Sequence, residues 1–259
     1  MLDSRGAAGK QEAVFESLGR ELVRHALHGR HACLLAYGRA NSGKTYASFG
    51  DDAALLGSTA LPSSAGLLPR SLEAIFAALA DDETAVCAAS FYEICDDQVH
   101  DLLESAPLSP QGSAVRAAMR VHGDRPMPGR RRTAASGPTE MICESFEDAL
   151  GAVARGALGR RVCDAAPGGR KSGSHAVFTF RVQRLGESAN QGTLRMVDLA
   201  GSLTTGKELT LINRMLFHTA RGVRKLTDEV ASSQLALAVR HALSGNALTV
   251  LLGAVSVAG

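Results

Sequence analysis

No C-x-x-C pair occurs in the 259 residues, and the five cysteines, Cys33, Cys87, Cys95, Cys143 and Cys163, are odd in number and widely spaced. That pattern argues against a disulfide framework and a cysteine zinc site, and it fits a reducing compartment. Long apolar runs are missing as well. The longest, around "ALTVLLGAVSVAG", is too short to span a bilayer, and the N-terminal "MLDSRGAAGKQEAVF" lacks the basic-then-apolar order of a signal peptide. The expectation is a soluble, cytoplasmic protein. Charge of one sign is scarce, because 28 Lys and Arg against 26 Asp and Glu leave a net +2. Attraction to an acidic partner must therefore come from local clusters. His31, His100, His122, His218 and His241 show no ligand spacing and read as core or surface residues. There is no internal repeat of solenoid length.

What is present is ordinary for a packed domain: 45% hydrophobic and 21% charged residues. The length suits a single α/β domain or two small ones, and one domain, 1–259, is the simpler reading. Leu18, Leu22, Val23, Ala26 and Leu27 share one helical stripe that Gly29 can close, and "ACLLAY" follows as a buried strand. Leu72, Ile75, Phe76 and Leu79 mark a second helix before the strand-like "TAVCAASFYEI". Ser145 and Asp148 form a capping box ahead of Phe146, Ala149, Leu150 and Val153. "HAVFTFRVQ" places Phe178, Phe180 and Val182 on one side of a strand, and "TLRMV" predicts another. A long helix or a pair is expected from Lys207 to about Val230, then a last strand near Leu248 to Val257. "GDDAALLGSTALPSSAGLLP" and "ESAPLSPQGSAV" read as surface loops. Alternating helices and strands predict an α/β sandwich around a mixed or mostly parallel sheet.

Two motifs carry chemistry. "AYGRANSGKTY" contains Gly38, four residues, then Gly43, Lys44 and Thr45, in the G-x-x-x-x-G-K-[ST] order, directly after a strand. Glycines let backbone N–H groups converge on phosphates, the lysine bridges the outer phosphates, and the hydroxyl reaches Mg²⁺. "RMVDLAGS" places Asp198 and Gly201 at the end of another strand, where a carboxylate holds the metal's water shell and a glycine N–H senses the γ-phosphate.

Together these segments resemble the motor domain of the kinesin family. "QEAVFESLGRELVRHALHGRHACLLAYGRANSGKTYASFG" is similar to the stretch around that family's phosphate loop. "SFYEICDDQVHDLL" resembles S-x-x-E-I-Y-N-E-x-x-x-D-L-L through Ser90, Glu93, Ile94, Asp101, Leu102 and Leu103. "KSGSHAVFTF" resembles switch I, usually S-S-R-S-H, and "VDLAGS" resembles switch II, usually D-L-A-G-S-E. "INRML" at Ile212 to Leu216 resembles I-N-K-S-L, and "LSGN" at Leu243 to Asn246 resembles L-G-G-N. The likeness runs from about Gln11 to Ser256. It implies a three-layer α/β/α P-loop NTPase with a central, mostly parallel mixed sheet, and a microtubule-stimulated ATPase using ATP and Mg²⁺. On that resemblance, Gly38, Arg39, Ala40, Asn41, Ser42, Gly43, Lys44, Thr45 and Tyr46 bind the nucleotide. Thr45, Ser172 and Asp198 surround the metal, and Ser172 and Gly201 are the catalytic switch positions.

The departures from the family are specific. Its switch I arginine and switch II glutamate form an ion pair that closes the site; those positions here are Gly173 and Leu203. Stranding one partner of a buried pair costs about 3–5 kcal/mol, whereas neutral replacement of both can be nearly harmless to folding. A foldable domain without its latch is expected, with hydrolysis weakened more than binding. The switch I asparagine position reads Gly168, and the motif's first serine reads Lys171, either a substitute cation near the γ-phosphate or an exposed loop lysine. The family's first strand, with R-x-R-P, has no counterpart before Gln11, and nothing after Ala258 matches its final helix and neck linker or a heptad stalk.

Tubulin is acidic, so a microtubule face should be basic. Lys207, Arg214, Arg221, Arg224, Lys225 and Arg240 stand against Glu208, Asp228 and Glu229 in the switch II region. The family's P-Y-R-x-S-K-L-T loop reads "EVASSQLA", with Gln234 for the lysine and Ala236 for the threonine. Arg125, Arg130, Arg131 and Arg132 form a basic loop without the aromatic interleaving that nucleic acid favours. The leading expectation is a cytoplasmic, microtubule-associated, kinesin-like motor domain with weak turnover. The alternatives are a non-catalytic pseudo-motor, an unrelated P-loop kinase or ATPase, and an eroded product with an uncovered sheet edge.

Overall fold

The structure, a computed structural model, describes residues 8–51, 60–95, 97–104, 137–165, 174–186, 191–201, 210, 212–215, 217, 221, 233–243 and 247–255. Helix α1 (Ala8–Val14) passes through one wide π-helical turn, Phe15–Gly19, into α2 (Arg20–Leu27). A Cβ on Gly19 would lie 2.2 Å from the Phe15 ring, so the turn is built on a ring laid over a residue without a side chain. Gly29, with φ of 71°, closes α2 as expected. The Gly29 N–H donates to the Ala26 carbonyl and the Arg30 N–H to that of His25, each at 3.1 Å, the paired bonds of a Schellman ending.

The strands are β1 (His31–Gly38), β2 (Ala85–Cys95), β3 (Gln98–Asp101), β4 (Met141–Cys143), β5 (His175–Arg184), β6 (Gln191–Asp198) and β7 (Ala247–Ala254). They form one mixed sheet in the order β3-β2-β5-β6-β1-β7, with β4 also on β2. The mixed sheet is as expected, but parallel pairing does not dominate. It is confined to β6–β1–β7, while β2, β3, β4 and β5 pair antiparallel. The physical reason lies in the connections. The β2–β3 turn is a tight hairpin through Asp97, with φ of 59°, and β5 runs into antiparallel β6 after a short link, whereas parallel neighbours need a crossover.

Helices cover both faces. On one, α2, α4 (Leu67–Ala78) and α5 (Phe146–Ala165) bury Leu22, Leu72, Ile75 and Val153 against Leu34, Phe91, Phe178, Phe180 and Leu194. On the other, α6 (Gln234–Leu243) and the helical residues 212–215 bury Leu235, Val239, Ile212 and Met215 against Cys33, Leu35, Ile94, Val177 and Val197. Neighbouring residues of β1 thus serve opposite layers, which is the three-layer arrangement. The capping box forms as read: the Asp148 N–H donates to Ser145 Oγ at 3.1 Å, and the Ser145 N–H donates to Asp148 Oδ2 at 3.0 Å.

Part of the first expected surface loop is not one. Leu67, Leu68 and Pro69 open α4 and are buried. Most of the second loop, the basic residues Arg125 to Arg132, and most of Lys207 to Val230 lie outside the described residues. Among the described residues no helix is long and apolar enough to cross a membrane.

Candidate functional site

Strand β1 delivers the chain into a loop, residues 39–43, that turns into helix α3 (Lys44–Phe49). Two glycines make the turn possible. Gly38 has φ of 155°, and a Cβ on it would lie 2.2 Å from the Ala254 carbonyl oxygen of β7. Gly43 has φ of 92°, yet a Cβ there would meet nothing within 4 Å. Its requirement is conformational, and the volume beside it stays open. Arg39, Ala40, Asn41 and Tyr46 are exposed around that space. Gln11, buried on α1, donates to the Tyr46 carbonyl at 2.8 Å and steadies α3 from behind.

Lys44 is 7% exposed, and its Nζ donates to the Arg39 carbonyl within the same loop at 2.6 Å. Burial lowers its pKa from the ordinary lysine value, against the opposing pull of the Asp198 charge. Next to it, Thr45 Oγ1 donates to Asp198 Oδ2 at 2.7 Å. Parallel pairing of β1 with β6 sets Asp198 opposite Ala36, so the carboxylate ends up beside the loop that β1 enters. Gly201 then passes close to the loop. A Cβ on it would be 2.6 Å from the Ala40 nitrogen, so only glycine allows the approach.

The sequence-predicted residues Gly38 to Tyr46, Asp198 and Gly201 are therefore brought together. Ser172, with Lys171, Gly173, Gly168 and Leu203, lies outside the described residues. Three features had no sequence signal. Arg160, in the C-terminal half of α5, places Nη1 3.4 Å from Asp198 Oδ2, and nothing in "GRR" distinguishes it from Arg161. His175 Nδ1 accepts the Ala200 N–H at 3.1 Å; the switch I motif contained this histidine without giving it a role. The Arg39 carbonyl acts through its backbone, which no residue type announces.

The residues fit a divalent metal and a phosphate chain. Asp198 is 2% exposed and its Oδ1 has no hydrogen-bond partner among the described residues, nor does the buried Ser42 Oγ. Burying such atoms without a partner is costly, and a hydrated cation with an anion beside it would satisfy both. One carboxylate and one hydroxyl suit Mg²⁺, which keeps most of its waters. No group of three or more His, Cys, Asp and Glu that could hold a metal occurs among the described residues.

A strand-to-helix loop of this shape, set beside the carboxylate end of a parallel neighbour in a sheet covered on both faces, is the P-loop NTPase architecture. The chain belongs to the kinesin motor domain family, whose model matches residues 4–258. It is 30% identical to the kinesin-like protein bimC of Emericella nidulans over 96% of this chain and 22% of that protein. It is also similar to kinesin-like protein KIN-12D of Arabidopsis thaliana, at 29% over 93% and 9%, and to kinesin-like protein KIF15 of Rattus norvegicus, at 28% over 93% and 18%. The chain thus spans less than a quarter of the length of these relatives.

Of the basic residues expected to face an acidic partner, Arg214, Arg221 and Arg240 are exposed. Gln234 and Ala236, aligned with the family's contact loop, instead begin α6. The Ala236 N–H donates to Ser233 Oγ at 3.4 Å, the Gln234 N–H to Asp97 Oδ1 at 2.6 Å, and Ala236 is buried.

Proposed function

We propose that residues 1–259 form one motor domain that binds Mg·ATP and microtubules and hydrolyses ATP weakly. The observation that carries this reading is the Thr45–Asp198 contact at 2.7 Å beside the unpartnered Asp198 Oδ1, next to a loop whose lysine is held by a loop carbonyl. On loading, Lys44 exchanges the Arg39 carbonyl for outer phosphate oxygens. Thr45 and Asp198, with Ser172 from switch I, would hold Mg²⁺ through its waters. The Gly201 N–H meets the γ-phosphate. Bound Mg²⁺ supplies neutralisation of the charge that develops between the outer phosphates. Weak turnover follows from Gly173 and Leu203, which leave the attacking water without the family's closing ion pair. The same two residues favour a second reading, a pseudo-motor that holds nucleotide and does not break it.

Steady-state ATP hydrolysis with and without microtubules separates the two. Turnover that rises with microtubules and vanishes in Lys44→Ala is expected for the first reading. Absent turnover that returns in Gly173→Arg/Leu203→Glu identifies the second. Absent nucleotide binding in the unaltered protein defeats both.

A further inference from the structure

His175 is fully buried at the start of β5, one residue before Ala176, which sits opposite Asp198 on β6. Its Nδ1 accepts the Ala200 N–H at 3.1 Å. A backbone N–H only donates, so Nδ1 carries no proton and the neutral ring keeps its proton on Nε2. The preceding N–H, that of Leu199, donates to the Ala36 carbonyl of β1 at 3.1 Å. Two successive peptide groups are thereby held by two different strands, β1 through Ala36 and β5 through His175. The third N–H in the row belongs to Gly201, whose backbone lies against Ala40 of the phosphate loop.

We propose that His175 is a positioning residue for the Gly201 N–H, linking the start of β5 to the turn that reads the γ-phosphate. The proposal rests on the Mg·ATP reading for its consequence, and on the Ala200 bond for its geometry. A histidine that merely filled this core position would be replaced without loss by leucine, which is similar in size and has no acceptor. A positioning histidine would not. Asparagine is the informative substitute, since its Oδ1 can take the place of Nδ1 and accept the same N–H.

The test compares the unaltered chain with His175→Leu and His175→Asn for binding of Mg·ADP and of a non-hydrolysable β,γ-imido ATP analogue. Losing one hydrogen bond that orients the γ-phosphate donor is expected to weaken the triphosphate analogue about five- to tenfold and leave ADP unchanged. Asparagine should recover most of the loss. A leucine variant with the unaltered ratio of the two affinities, or an asparagine variant that folds normally and behaves like leucine, overturns the proposal. Where the leucine variant does not fold, the ¹⁵N spectrum of the unaltered imidazole decides: the Nε2-protonated tautomer is expected, and a protonated Nδ1 overturns it. Where the unaltered chain binds neither nucleotide, the functional reading fails by itself, and hydrogen exchange at the Ala200 amide judges the positioning claim. Protection kept by asparagine and lost by leucine supports it, and equal protection in both defeats it.

Discussion

At Lys44 the ligand-free protein carries a charge that its fold does not require. The side chain is 7% exposed and its Nζ has the Arg39 carbonyl as its hydrogen-bonding partner, while burial lowers its pKa more than the Asp198 charge raises it. Among the described residues this desolvated ammonium is answered by one neutral acceptor and by an Asp198 charge that offsets only part of the desolvation, which leaves it less stable than an apolar side chain of the same length. Lys44→Met should therefore raise the Tm of the ligand-free protein by a few degrees while abolishing Mg·ADP binding. The pH dependence has a definite sign. The folded-state pKa lies below the ordinary lysine value of 10.5, so between the two values the unfolded chain binds more protons, and stability of the unaltered protein rises with pH. The Tm advantage of the methionine variant should shrink as pH climbs through that window. Calorimetry in steps toward pH 10.5 reads both effects, and a methionine variant that melts lower, or a gap that widens, contradicts this account.

Among the elements, α5 sets helix propensity against packing on a single helix. Replacing a helical glycine by alanine gains about 1 kcal/mol of propensity. At Gly151 a Cβ would meet nothing within 4 Å, so Gly151→Ala should stabilise by up to about that amount. At Gly156 the Cβ would lie 2.0 Å from the Phe91 ring, which is held 5.8 Å from Phe49 and 5.5 Å from Phe178. Overpacking costs about 1–3 kcal/mol and outweighs the propensity, so Gly156→Ala should destabilise. Urea midpoints of opposite sign are the expected result, and two shifts in the same direction would refute the packing argument. The contrast also shows what periodicity reads. The stripes of α2 and α4 and the capping box of α5 are local patterns, and they were legible. The three-residue β4 and four-residue β3 are too short to show a period. Helix α6 carries a period, with Leu235, Ala238, Val239 and Ala242 buried and Arg240 exposed, but aligning Gln234 and Ala236 with the family's contact loop hid its start. The π-helical turn depends on a ring meeting a glycine, a contact with no signature of its own.

For the molecule as a whole, the site was legible at its ends and not in between. Thr45 and Asp198 each sit in a motif, and parallel pairing of β1 and β6 joins them across 153 residues. Arg160 and His175 reach the same place through topology, from residue types that carry other roles elsewhere in the chain. The same topology leaves β7 paired only with β1 among the described residues. From Ala247 to Val255 there is no charged residue and no proline, and Leu251 and Val255 are 51% and 73% exposed. Beyond β2 at the far side, β3 and β4 are short, and β3 ends in an aspartate that accepts the Leu103 and Glu104 N–H groups. A long, uncharged, apolar edge templates pairing with another chain, and a net charge of +2 opposes approach only weakly. Leu251→Lys should therefore slow concentration-dependent aggregation, followed by light scattering at constant temperature. Because Leu251 is half exposed, stability should move by no more than about 0.5 kcal/mol, and Mg·ADP affinity should stay the same. An unchanged aggregation rate at equal stability would show that association starts elsewhere. A slower rate with unchanged affinity would place it on β7, since an added charge on that strand repels a second copy without touching the phosphate loop.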